Sequence, residues 1–196
     1  MADDQLFRLV LLAGCVLLLP IGIYHRLKAR TDEKLDRRQE GWFILISLRL
    51  TGIAGWAGLM TYLINPSWMS WAAVPAPRWL RWIGVSLFAV TGCLFLWTFR
   101  SLGKNLTDTV VTRQEHTLVT VGPYRWVRHP LYLAAALATL AVPLASANAF
   151  IFVSGCVILL LLAVRTRREE VNLIARFGDD YRNYMRRTGR FLPRLK

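Results

Sequence analysis

The sequence predicts an all-α polytopic membrane protein of about five transmembrane helices, ending in a C-terminal helical hairpin and a cytosolic tail. Apolar runs of membrane-spanning length alternate with charged blocks along the 196 residues. The composition is 55% hydrophobic and 12% aromatic with a formal charge of +13, which fits a soluble domain poorly. No stretch alternates apolar and polar residues with the period of a strand.

The first span is expected over Leu6 to Tyr24. Leu12-Ala13-Gly14-Cys15 resembles a lipoprotein cleavage box. The apolar run nevertheless continues past it, and Asp3 and Asp4 stand where a signal peptide carries basic residues, so the span is expected to stay uncleaved. A mixed-charge segment follows from His25 to Gly41. The second span, Trp42 to Ile64, holds one charge, Arg49, which either snorkels to the headgroups or lines a substrate path. Asn65 to Pro77 is uncharged, turn-rich and carries Trp68 and Trp71, the signature of a segment skimming the interface. A third span runs from Arg81 to Phe99. After a long loop come two short apolar runs, Leu131 to Leu144 and Ala149 to Val164, separated by Ser146-Ala147-Asn148. They read as a tight hairpin, with a basic tail from Arg165 to Lys196 that begins as a helix.

Lys and Arg fall in alternate loops. The first loop, the loop from Arg100 to Pro130 and the tail are rich in them, whereas the second loop has little and the hairpin turn none. The positive-inside rule then puts the N-terminus outside, and the long loop and tail together in the cytoplasm. That pattern and anionic headgroups account for the surplus charge without nucleic acid. Cys15, Cys93 and Cys156 all lie in apolar runs with no CxxC or Cys/His pairing, so no metal site or disulfide framework is expected. No GxGxxG or Walker loop occurs, so a nucleotide-like cofactor would be held without a Rossmann sheet.

The polar chemistry concentrates between His116 and Tyr132, in H-T-L-V-T-V-G-P-Y-R-W-V-R-H-P-L-Y. Locally this needs no function: Gly122-Pro123 makes a turn, His129-Pro130 starts a helix, and Arg125 and Arg128 suit headgroups. Likewise Arg165 and Glu169 form an i,i+4 pair on a helix. The two clusters gain interest together, because the topology puts carboxylates, imidazoles and phenols at one end of the hairpin.

The same segment closely resembles the cofactor segment of isoprenylcysteine carboxyl methyltransferases, and phospholipid methyltransferases share the pattern. Glu169-Glu170, Leu173, Phe177-Gly178, Tyr181 and Tyr184 resemble its C-terminal half. The resemblance covers about Ser101 to Pro193, dividing the chain into three N-terminal spans (1–100) and a catalytic region (101–196). It implies an integral membrane methyltransferase that uses S-adenosylmethionine at the cytosolic interface. Carried over by residue, His116, Thr117, Leu118, Val119, Tyr124, His129, Pro130, Leu131, Tyr132 and Glu169 would contact the cofactor. Arg165 would bind the acceptor, with Arg128 supporting its orientation. Ala134 stands where the family often has Gly, which implies a narrower neighbouring cavity. No metal is implied.

The expected acceptor is lipophilic, a small molecule or a lipid-linked group, reached from the bilayer. An isoprenylcysteine-type carboxylate is the most similar, with a thiol, an acid or a phospholipid amine as alternatives. A bacterial inner membrane is the expected location. Two other readings stand beside this one: a nicotinamide-dependent sterol-type reductase, and a non-catalytic lipid-binding module. Oligomeric state and pathway are not legible.

Overall fold

The structure, a computed structural model, describes residues 2–29, 42–103 and 117–194. It is all-helical over those residues: α1 (Ala2–Lys28), α2 (Trp42–Ile64), α3 (Arg78–Leu102), α4 (Pro130–Ser146) and α5 (Ala149–Arg187), with short 3-10 helices at Pro66–Ala72 and Gly122–Arg125. Among the described residues, α1, α2, α3 and α5 are long and apolar enough to cross a membrane. α4, at 17 residues, sits at the lower edge of the ~17–25 that a crossing takes. Large apolar side chains such as Leu17, Phe43, Ile53, Val90 and Leu160 point outward along the spans, as a lipid-facing surface requires.

Local chemistry sets the boundaries. The 3-10 helix after α2 starts where the Asn65 side chain accepts from Ser67 N at 3.0 Å, and Trp68 and Trp71 remain exposed on it. Pro77 precedes α3, which stops at Gly103 with φ 52°. Pro130 opens α4, where its missing N–H costs no intrahelical bond. The hairpin turn is Ala147 in the left-handed region followed by Asn148, whose side chain caps α5 by accepting from Ile151 N at 3.1 Å. The turn is held to the second loop by Val74 N donating to Ala147 O at 2.8 Å. One expectation needs correcting. The second arm of the hairpin and the tail helix are one element, because nothing between Val164 and Phe177 breaks a helix. Only Gly178, at φ 56°, interrupts α5.

α3 packs most extensively on α4. Gly84 allows it: a Cβ there would lie 2.4 Å from Ala145 N and 2.9 Å from Ala141 O, so only a bare Cα admits this approach. The apolar core, with Leu11, Tyr62, Leu63, Met69, Ala145 and Ile151, lies at the hairpin-turn end. Arg81 is buried there at 5% exposure. Its Nε donates to Ala145 O at 2.9 Å, its Nη1 to Asp4 at 2.8 Å and its Nη2 to Tyr62 Oη at 3.2 Å, and it lies over the Phe7 ring. Arg49 is exposed on α2.

Candidate active site

The opposite end of the bundle is polar and is built from three pieces of chain. The segment from Gly122 to His129 leads into α4. Past its apolar part, α5 supplies Arg165, Glu169, Glu170, Tyr181 and Tyr184. The last residues, Thr188 to Phe191, fold back against the first piece. There Arg128 N donates to Gly189 O at 2.9 Å, His129 N to Arg190 O at 3.1 Å, and Gly189 N to Trp126 O at 3.2 Å. This pairing gives the irregular backbone before α4 hydrogen-bond partners that its own sequence cannot provide.

His129, just before α4, is buried at 5% exposure. Its ring lies parallel to that of Tyr132, with centroids 5.4 Å apart and planes 6° apart, and Phe191 packs on its other surroundings at 6.0 Å. Tyr132 Oη donates to Glu169 Oε2 at 2.7 Å, and His129 Nδ1 lies 3.9 Å from the same oxygen. Glu169 keeps 28% of its side chain exposed, so it can still meet a ligand. Thus His129, Tyr132 and Glu169 converge, although 37 residues separate the last two. Pro130 is fully buried beneath them, and Leu131 is half-buried. Arg165 is half-buried one helical turn before Glu169 and on the same face.

Tyr124 is half-buried, and its carbonyl accepts from Tyr184 Oη at 2.6 Å. Burial, with the charge of Glu169, pushes its phenol well above the ordinary range, so it stays protonated. Leu118 lines a groove of about 460 Å³ with Thr120, Arg125, Asp180, Asn183, Tyr184, Arg187 and Thr188. Thr117 is exposed and Val119 half-buried nearby in sequence. His116 lies outside the described residues.

The sequence reading passed over Glu170, which is 3% exposed. Its Oε1 accepts from Arg128 Nε at 2.9 Å and faces His129 Nε2 at 3.4 Å, while Oε2 is held by Arg190. Burial alone would raise its pKa, but hydrogen bonds from His129, Arg190 and Arg128, with the Arg128 charge, hold it at about 2. Arg128 also donates from Nη1 to the carbonyls of Met185 and Thr188. Its guanidinium is therefore engaged within the protein rather than turned to an acceptor. The Glu169-Glu170 doublet was a usable signal, since neighbours on a helix point about 100° apart and can flank one group. For Arg190 there was none.

A profile of the isoprenylcysteine carboxyl methyltransferase family matches residues 82–175. A methanethiol S-methyltransferase of Mycobacterium tuberculosis is 32% identical over 126 residues, covering 64% of this chain and 46% of that protein. The human protein-S-isoprenylcysteine O-methyltransferase is 30% identical over 129 residues, covering 64% of this chain and 45% of its own. The chain thus spans about half the length of these relatives. The solved structure of a eukaryotic intramembrane Ras methyltransferase shares the fold, with a TM-score of 0.51 at 21% identity, over 76% of this chain and 51% of that one.

Proposed function

We propose that this chain, whose residues 82–175 match the profile of the isoprenylcysteine carboxyl methyltransferase family, is an integral membrane S-adenosylmethionine-dependent methyltransferase acting on a lipophilic acceptor. The observation that carries this reading is the convergence of His129, Tyr132 and Glu169 at the polar end of the bundle. The residues there suit that cofactor. Glu169 accepts hydrogen bonds, as an ammonium or a ribose diol requires, and aromatic rings suit a sulfonium. The phenol of Tyr181 is buried at 1% exposure beneath the site, with no hydrogen-bond partner among the described residues.

When bound, S-adenosylmethionine supplies an electrophilic methyl group for in-line displacement. The chain's part is binding, orientation and exclusion of water. Glu169 and the Tyr132 ring hold the donor, with Tyr124 and Leu118 beside it. Arg165 places an anionic acceptor, and a carboxylate or thiolate so placed needs no general base. Arg128 acts indirectly, by fixing the backbone around Thr188. The Lys and Arg pattern supports a cytosolic site, with the acceptor arriving from the bilayer.

The family profile favours a prenylcysteine-type carboxylate as acceptor, and the mycobacterial relative favours a small thiol. Titration of the detergent-purified protein with S-adenosylmethionine by calorimetry tests the donor. A Glu169→Ala, His129→Ala double variant should bind none. Transfer of labelled methyl to a farnesylated cysteine derivative, against transfer to methanethiol, separates the two acceptors. A folded wild-type protein that binds no donor defeats the methyltransferase reading, and NADPH binding would then support the reductase alternative.

A further inference from the structure

Glu170 is the one buried carboxylate among the described residues, closed off from any ligand at 3% exposure, so any part it plays must run through a neighbour. Three cationic or imidazole groups converge on it from different parts of the chain. Arg128 comes from the segment before α4, His129 from the position just before its first residue, and Arg190 from beyond the end of α5. A carboxylate gripped this way cannot swing to a second rotamer without leaving two guanidinium groups short of an acceptor.

We infer that Glu170 is a positioning residue of the site: it fixes the His129 imidazole with its proton on Nε2, and through the His129–Tyr132 stack it sets Glu169 for the ligand. The chemistry is directional. An ionised carboxylate only accepts, so the imidazole nitrogen facing it at 3.4 Å must carry the hydrogen. In the neutral ring that leaves a lone pair on Nδ1, which lies 3.9 Å from Glu169 Oε2. Two acceptors at that spacing suit one bridging donor group, such as a ligand ammonium or a hydroxyl pair. Arg190 extends the dependence to the chain end. Its guanidinium holds Glu170 while its carbonyl accepts from His129 N at 3.1 Å, so the last residues form part of the site's wall.

The identity of the ligand rests on the proposed function, whereas the tautomer does not, and the experiment separates the two. The full chain, labelled with ¹⁵N-histidine and solubilised in detergent, carries only three histidines, and a His129→Gln variant assigns the signal. The expected spectrum of the neutral ring shows its hydrogen on Nε2, facing Glu170, with Glu170→Gln turning it into a mixture of tautomers. S-adenosylmethionine should bind Glu170→Gln about tenfold more weakly than wild type. The loss should shrink in a Glu169→Gln background, because both changes act through one acceptor pair. If Glu170→Gln does not fold, Arg190→Gln loosens the same carboxylate from the exposed side and is expected to move the same signal. A wild-type His129 that is an imidazolium or is protonated on Nδ1 overturns the inference. So does a Glu170→Gln protein that loses thermal stability while its His129 signal stays unchanged. Failure of wild type to bind the donor defeats the proposed function and leaves the tautomer test standing.

Discussion

The two ends of the helical bundle solve the same problem, a buried charge, with opposite signs. At the hairpin-turn end the hub is a cation. Arg81 donates to Asp4 on α1, Tyr62 on α2 and Ala145 O on α4, beside the apolar core. At the other end the hub is an anion, Glu170, surrounded by Arg128, His129 and Arg190. The first hub ties helices to one another. The second ties irregular backbone to the chain end, and beside it stands a carboxylate with capacity left over, Glu169, 28% exposed. Spare capacity beside a fully satisfied charge is what separates a site from a clamp.

The comparison can be broken at either end. The largest loss is expected from Arg81→Ala, which removes the buried cation that joins groups on three helices. It should cost roughly 3–5 kcal/mol of stability, while donor affinity of the protein that remains folded is unchanged. Thermal unfolding in detergent with calorimetry on the folded fraction reads both. A weakened affinity would mean that the ends are coupled.

Acid should act at the other hub. Glu170 titrates at about 2 in the folded chain against an ordinary 4.5, so its stabilisation is present above about pH 4.5 and is lost as pH falls towards 2. On the order of 3 kcal/mol is involved. Wild type should lose stability over that window faster than Glu170→Gln, and parallel acid-unfolding curves would show that the carboxylate contributes nothing.

Gly84→Ala comes next. Its Cβ would press on the α4 backbone at 2.4 Å, costing about 1–3 kcal/mol with no change in donor binding. The smallest effect on stability is expected from Tyr181→Phe. Removing a hydroxyl that has no partner among the described residues should leave the ligand-free protein within about 0.5 kcal/mol of wild type or slightly more stable. Donor affinity should stay unchanged, because the Tyr181 side chain is closed off at 1% exposure. A clear loss of stability instead would assign that hydroxyl to the scaffold.

Much of this molecule was legible in one dimension. The apolar runs located the helices, Pro130 marked where one of them starts, and Ser146-Ala147-Asn148 marked the hairpin turn. Span ends were underestimated, as at α1, which reaches Lys28, because helices continue into polar sequence that hydropathy discounts. The resemblance to the family's cofactor segment also gathered His129, Tyr132 and Glu169 into one hypothesis before any fold was in hand.

What the sequence by itself determined is therefore whatever repeats or caps within a few residues: helix, turn, membrane preference and a local motif. Only the tertiary structure decided which charges face each other. Arg81 looked like the polar edge of a span and is a buried hub. Arg128, expected to support the orientation of the acceptor, pairs with Glu170 and two carbonyls. Arg190 carried no signal, yet it closes the same carboxylate from 20 residues downstream. The reason is physical: periodicity and capping act over a few residues of chain, whereas a buried charge is satisfied by whatever the fold brings within hydrogen-bonding distance.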